Sequence, residues 1–350
     1  MNHYDLIFIT NIPAFYKINL FNRLASKARI KVIFISRKSS MREGDFYNYN
    51  CNFDHLYIND VDFEKRDKLK TLFKIRKHLK ELSYSRLVFP GWEIKELFLL
   101  SILTKKDKNA AVIESSILET RLTGMVGMLK KMFLSRMAYA YPSGVLQREI
   151  LNYCRYSGKV YLTHGVGIAN QLRKPTCSKK ICEPERFSSF KYLYVGRLAP
   201  EKNLSLLIDT FNDIGDELII IGSGPEKEQL EKRAKNNITF LGYVNNSALA
   251  DIYNQCNVFI LPSLSEPWGL VVEEALALGL PVIVSDRVGC KDDLVNNNGL
   301  IFDANDKNSL KNAMEKMKKD YSRFYESANK YNMEKMYDKQ INSYITSIAE

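Results

Sequence analysis

The sequence predicts an α/β protein of two domains, each a parallel sheet with helices on both faces. Three observations predict it. The chain has 350 residues, enough for about two domains with sizeable cores. Short apolar runs alternate with helix-periodic segments through both halves, the pattern of repeated strand–helix–strand units. Between the halves, residues 171–190 lose periodicity and gather Pro175, Cys177, Cys182 and Pro184, as a linker does. The expected boundaries are 1–168, a linker at 169–190, and 191–332, with a last helix at about 333–350 packing back on the first domain.

In the first half, Leu6–Thr10 reads as a strand, and a helix follows with Ile18, Phe21 and Leu24 on one face. Lys31–Ser36 is a second strand. Leu69, Leu72, Phe73 and Leu79 form the apolar face of a lysine-rich helix at 65–80. Arg86–Phe89 is a strand ending at Pro90-Gly91-Trp92, and Ala110–Ile113 is another, followed by Glu114-Ser115-Ser116. Leu122, Met125, Val126, Leu129, Met132, Phe133 and Met137 recur at helical spacing with Lys130, Lys131 and Arg136 nearby. This predicts either a core-facing helix with a solvated basic side, the preferred reading, or, like the lysine-rich helix at 65–80, a surface that docks on anionic lipid. Val160–Thr163 reads as the last strand of this half.

The second half is more regular. Tyr192–Val195 is a strand, residues 196–202 a loop, and Asn203 is placed to cap a helix that turns Leu204, Leu207, Ile208 and Phe211 inward and stops at Gly215. Glu217–Ile221, Ile238–Leu241, Val258–Leu261 and Val282–Val284 read as further strands. The intervening helices cover about 226–235, 248–255 and the segment that stops near Gly279, beyond which Pro281 cannot continue it.

Charge is unevenly placed. Residues 1–170 hold 28 Lys and Arg against 15 Asp and Glu, net +13, whereas residues 171–350 are at −2. A basic first half suits an anionic lipid surface or an acidic acceptor. It lacks the interleaved aromatic and basic residues that stack nucleic-acid bases, so no nucleic-acid partner is expected. No apolar run approaches a membrane span, and the start is unlike a secretory signal, so a cytoplasmic protein is expected, peripheral on the inner membrane face. The six cysteines form no C-x-x-C pair and the four histidines are scattered, which argues against a zinc site or a disulfide framework.

The chemistry concentrates at strand ends of the second half, where ligands of open α/β sheets bind. Arg197 and Lys202 lie between a strand end and a helix start. A guanidinium binds a diphosphate bidentately and an ammonium supplies a mobile positive charge. Glu266 and Glu274 stand eight residues apart in Ser265-Glu266-Pro267-Trp268-Gly269-Leu270-Val271-Val272-Glu273-Glu274, flanking a helix start. Carboxylates accept hydrogen bonds from hydroxyls, and the free N–H groups of a helix start favour an anion. Together they suit a nucleotide sugar. Gly222-Ser223-Gly224-Pro225 is a glycine turn of low specificity alone.

Gly196-Arg197-x-x-x-Glu201-Lys202, Gly222-Ser223-Gly224-Pro225, Phe240-Leu241-Gly242-Tyr243-Val244 and the Glu266–Glu274 segment resemble the retaining glycosyltransferases of family 4, in order and approximate spacing. The resemblance is strong over about residues 192–305. It implies the GT-B architecture: α/β, two Rossmann-like domains with parallel sheets facing a central cleft. It also implies a nucleotide-sugar donor, such as a UDP- or GDP-sugar, with no cofactor and no required metal. By resemblance, Arg197 and Lys202 stabilise the departing diphosphate. Glu266 contacts the donor sugar near the reaction centre, and Glu274 holds the ribose hydroxyls in an E-x7-E pattern. Gly196, Gly222, Gly224, Tyr243, Val244, Pro267, Trp268, Gly269 and Leu270 complete the donor side, the last two through backbone N–H groups.

Acceptor-side candidates are Glu114, Trp92 and His164. Glu114 reads equally as an acceptor contact or as part of a helix entry, Trp92 and Glu93 as candidates for sugar stacking and hydrogen bonding, and His164 as a catalyst or a turn residue. Two departures from the family stand out: His164-Gly165-Val166-Gly167 in place of Asn-Gly-Val-Asp, and Ile12-Pro13-Ala14-Phe15 in place of a glycine pair. The expected activity is hexosyl transfer, with retention, to a lipid-linked glycan acceptor in surface polysaccharide (O-antigen/capsule-type) assembly. The competing readings are a nucleotide-sugar epimerase of the same fold, a dinucleotide oxidoreductase, and a non-catalytic membrane-surface binding protein. The oxidoreductase would need its glycine turn after the first strand, with an acidic residue about 20 positions on. The epimerase would call for acid/base histidines at the sugar ring.

Overall fold

The computed structural model describes residues 3–40, 49–169 and 190–349. The expected linker at 169–190, with Cys177 and Cys182, therefore lies almost wholly outside the described residues. The chain divides into two compact units: one runs to Ala169 and regains the chain from Glu334 onward, and the other ends at Met333.

The first unit is built in chain order from β1 (His3–Thr10), α1 (Phe15–Ala25), β2 (Ile30–Ser36), β3 (Asp54–Asn59), α2 (Lys68–Lys80), β4 (Ser83–Phe89), α3 (Lys95–Leu103), β5 (Asn109–Ile113), α4 (Gly124–Ser135), β6 (Tyr139–Pro142), α5 (Val145–Tyr153) and β7 (Lys159–Val160). Its seven strands are all parallel in the order β3-β2-β1-β4-β5-β6-β7. Ile7 pairs in register with Lys31 on one side and Leu87 on the other. Central strands buried on both faces need continuous apolar runs, which β1, β2 and β5 supply at residues 6–9, 32–35 and 110–113. On one face Ile7, Ile9, Ile33 and Phe89 pack against Leu72 and Ile75 of α2, Leu97 of α3 and Phe133 of α4.

The second unit contains β8 (Lys191–Val195), α6 (Leu204–Ile214), β9 (Glu217–Ile221), α7 (Lys227–Arg233), β10 (Ile238–Gly242), α8 (Asn246–Gln255), β11 (Val258–Leu261), α9 (Leu270–Ala277), β12 (Val282–Ser285), α10 (Lys291–Leu294), β13 (Gly299–Phe302), α11 (Lys307–Lys319) and α12 (Tyr321–Asn329). Its six strands are parallel in the order β10-β9-β8-β11-β12-β13. Leu204, Leu207, Ile208 and Phe211 of α6 are buried, and the helix ends on Gly215, whose positive φ of 77° lets its N–H reach the Phe211 carbonyl.

A final helix, α13 (Met333–Ala349), has its residues from Glu334 on in the first unit. Tyr344 packs edge-on against Phe8, the Tyr141 hydroxyl lies 2.6 Å from Ser347 Oγ, and the Ser343 hydroxyl donates to the Leu162 carbonyl.

Several local expectations are corrected. Strands β3 and β6 went unrecognised: β3 is half-exposed and polar, and β6 is four residues with two tyrosines and a proline. The expected strand Val160–Thr163 pairs only through Lys159–Val160. Asn203 takes the N-cap position of α6, but its side chain makes no capping hydrogen bond. It adopts left-handed φ and ψ, and its amide donates to the Ala304 carbonyl at 2.8 Å instead. In α2 the inward residues are Thr71, Leu72, Ile75 and Leu79, while Leu69 and Phe73 are exposed. In α4 only Gly127, Phe133 and Leu134 are buried, so most of its apolar residues face outward rather than into the core.

Candidate functional site

In both sheets the strand order reverses beside the first strand of the unit, between β1 and β4 and between β8 and β11. Chain leaving the two neighbouring strands diverges there, and the carboxyl ends frame a depression where ligands of open α/β sheets sit.

In the second unit, β8 runs into Gly196–Ala199 and a single tight turn at Pro200–Lys202. The buried Tyr194 hydroxyl donates to the Arg197 carbonyl at 2.9 Å and fixes this loop from beneath. Arg197, largely exposed, pairs through its guanidinium with Glu201 and holds that carboxyl below the ordinary glutamate range. Lys202 pairs with Glu266, and both side chains are mostly shielded from water, at 16% and 15% exposure. Sequence places these two charges 64 positions apart. The loop after β11 brings them together, because the N–H groups of Leu264 and Ser265 donate to the Glu201 carbonyl, at 2.8 and 3.4 Å.

The segment 265–269 is anchored on its other side by residues 288–290. Gly289 N–H donates to the Glu266 carbonyl at 2.8 Å and Cys290 N–H to the Trp268 carbonyl at 3.0 Å. Gly269 precedes α9 with φ of 108°, a conformation side-chain-bearing residues resist. Glu274 is the fifth residue of α9, and burial pushes its carboxyl up to about 7. Its neighbour Glu273 is more deeply buried. The Trp268 indole donates to it at 2.5 Å, yet burial still raises it to about 8.

The expected donor-side residues divide by position. Gly222 and Gly224 bring two loops into contact: a Cβ on Gly222 would stand 1.9 Å from the Gly196 carbonyl oxygen, and one on Gly224 2.2 Å from that of Leu198. These glycines are demanded by loop packing. Gly222 N–H donates to the Gly242 carbonyl, which ties in the third loop, where Tyr243 is exposed and Val244 half-buried. Pro267 is exposed and Leu270 half-buried. Trp268 is the correction on this side: its ring is buried and committed to Glu273, so it positions the loop from behind. Glu273, the buried support of its loop, was not singled out by sequence, and Glu201 was named only as part of the Arg197–Lys202 motif. Glu273 stands next to a glutamate of the motif, and only burial tells the two apart.

In the first unit, the corresponding strand ends enclose a cavity of about 350 Å³ walled by Asn11, Lys17, Arg66, Glu93 and Glu114 over an apolar floor. Glu114 pairs with Lys17, and Arg66 with the buried Glu96 at 2.5 Å. Ser116 and Glu119 form their own turn, the Glu119 carboxylate accepting from Ser116 N–H at 3.3 Å, which leaves Glu114 on the cavity wall. Trp92 lies elsewhere: it is half-buried against the core, with the Lys130 ammonium 5.2 Å from the ring centre, and the wall takes Glu93 instead. His164 occupies a left-handed turn at φ of 54°, its imidazole disposed toward neutrality by burial and by Lys339, and it does not line this cavity. Lys17 and Arg66 escaped sequence reading because each is one basic residue among many in a basic half. Among the described residues no cluster of three or more His, Cys, Asp or Glu could hold a metal ion.

Residues 183–335 match the family of glycosyl transferases group 1. The match falls on the second unit, where the Lys202–Glu266 pair lies. Over 164 residues, 43% of this chain and 38% of the relative, the sequence is 33% identical to a probable sucrose-phosphate synthase of Thermosipho melanesiensis. Matching segments span 24% to 38% of the length of eight curated relatives, so the chain covers well under half of each. A sucrose-phosphate synthase from Thermosynechococcus elongatus has the same fold, with a TM-score of 0.74 over 99% of both chains at 18% identity. HepE of Anabaena, solved in complex with UDP, gives 0.72 over 98% of this chain and all of that one at 15% identity. These findings show the GT-B fold, with group 1 glycosyl transferase sequence in the second unit.

Proposed function

We propose that this chain is a retaining glycosyltransferase. It would move a hexosyl unit from a nucleotide diphosphate sugar to a hydroxyl of a glycan acceptor. The observation that carries the reading is the shielded Lys202–Glu266 pair at the strand-order reversal of the group 1 unit, with Arg197 one turn away.

Breaking the glycosidic bond leaves negative charge on the diphosphate. Lys202 and Arg197 neutralise that charge, and a fixed cation where water is scarce acts more strongly than one in solvent. Glu266, neighbour to Lys202, accepts a hydroxyl of the donor sugar and orients it. Glu274 accepts the ribose hydroxyls. The N–H groups of Gly269 and Leu270 face the phosphate, where the missing side chain of Gly269 permits close approach. The two cations carry the charge that a metal carries elsewhere, and no metal is required. Retention of anomeric configuration follows the resemblance of the Glu266–Glu274 spacing to the family 4 pattern. The cavity of the first unit suits an acceptor: Asn11, Glu93 and Glu114 can meet sugar hydroxyls there. The UDP bound by HepE, a protein of this fold, is consistent with a nucleotide donor. The basic first unit favours a lipid-linked oligosaccharide in surface polysaccharide assembly, reached from the cytoplasmic membrane face.

The test is a donor screen with purified protein, read by calorimetry for nucleotide uptake and by NMR for the product anomer. A UDP-, GDP- or related sugar should bind and yield a glycan with retained configuration. Inversion, or isomerisation of the donor without an acceptor, would overturn the reading.

A further inference from the structure

We infer that the outer face of α3 and α4, with the basic cavity at its edge, is a docking surface for an anionic phospholipid bilayer. This deepens the proposed lipid-linked acceptor and rests on that reading for its biological direction.

The helix α4 is turned opposite to what its apolar content suggests. Phe133 and Leu134 enter the core, while Met125, Val126, Met128, Leu129 and Met132 point outward, Met125 at 75% exposure and Met128 at 61%. At 100° per residue these five side chains share one side of the helix, with Lys130 and Lys131 on its two flanks. The neighbouring α3 extends the same character, exposing Leu99, Ile102 and Leu103. The two helices are locked together: Phe98 stacks on Phe133 at 6.0 Å, and the Arg136 guanidinium donates to the carbonyls of Ser101 and Thr104 at 3.3 and 3.2 Å. Eight large exposed apolar side chains on two coupled helices are more than the single scattered ones that need no explanation.

The second observation is charge. Where α4 ends, a cavity of about 430 Å³ opens, walled by Lys106, Lys131, Arg155 and Lys159 with Tyr139, Ser135 and Ser157. No carboxylate lines it among the described residues. Lys131 belongs to both the cavity and α4, so the basic pocket and the apolar face are continuous. Apolar side chains that enter the acyl boundary, bordered by cations that meet anionic headgroups, are the arrangement of an interfacial helix. Methionine suits the task, being long, unbranched and adaptable to a fluid partner. Four lysine and arginine side chains around one pocket match the phosphates of anionic headgroups. No helix among the described residues is long and apolar enough to cross a membrane.

The full chain should co-float with phosphatidylcholine vesicles that contain phosphatidylglycerol, and not with phosphatidylcholine alone. The combined substitution Met125→Ser, Met128→Ser and Met132→Ser should cut binding at least tenfold with unchanged thermal unfolding. Lys106→Gln and Lys131→Gln should each lose about fivefold, since one cation near an anionic membrane contributes about that factor. These vesicles carry neither donor nor acceptor glycan, so the result stands apart from whether the protein transfers sugar. Equal binding to neutral vesicles, or none to anionic ones, overturns the inference. So does a dimer in sedimentation that the methionine variant dissociates, or inorganic phosphate uptake without vesicle binding.

Discussion

The two units share one topology yet hold their charges in different ways. In the second, the charged groups stand on adjoining loops: Arg197 and Lys202 on one, Glu266 on the next, with backbone hydrogen bonds joining the loops at Glu201. In the first, the cavity's charges come from four separate segments, and one of them, Arg66, is paired with Glu96 almost wholly out of water. The difference teaches what each is built to do. A buried pair is a structural commitment that tolerates no loss of one partner, whereas Lys202–Glu266, partly open to solvent at the strand ends, can exchange its partner for a ligand.

The sharpest way to break the comparison is to remove one half of each pair. Glu96→Ala strands the Arg66 guanidinium in a dry site and should destabilise the first unit by about 3–5 kcal/mol. Differential scanning calorimetry should show that loss while nucleotide binding by the second unit persists. Lys202→Ala should leave unfolding nearly unchanged but lower turnover by about 10²–10³, with donor KM little altered. A Lys202→Ala enzyme that loses stability instead would place Lys202 with Arg66 as a structural cation.

The smallest effect concerns pH. Burial raises Glu273 to about 8 and Glu274 to about 7, from 4.5. The folded state therefore disfavours their ionised forms, and the sign follows: their contribution is fully present below pH 4.5, declines above it, and is lost as pH rises through the folded values. Thermal stability of the second unit should fall between about pH 5 and 8, and Glu273→Gln should flatten that fall while keeping an acceptor for the Trp268 indole. Nucleotide affinity should rise severalfold across pH 7 as Glu274 ionises, and a Glu274→Gln enzyme should show no such rise in calorimetry.

Much of the second unit was legible because its signals are local. The strand Glu217–Ile221, the inward residues of α6 and the stop at Gly215 each follow from a short window of residues. The first unit was less so. A two-residue edge strand and a polar β3 carry little periodicity, and Leu69, Phe73 and the outward methionines of α4 fit a helix equally well with either face inward.

The sequence by itself determined two parallel α/β sheets and the loops that carry Arg197, Lys202, Glu266 and Glu274, since strand alternation and the glycine and proline breaks are written along the chain. Tertiary structure alone decided that Lys202 meets Glu266 and that Trp268 turns inward to Glu273. It alone turned α4 so that its methionines meet solvent. Each of these depends on contacts between segments distant in sequence, or on which side of a helix lies against the sheet, and helical spacing records only that apolar residues share a side.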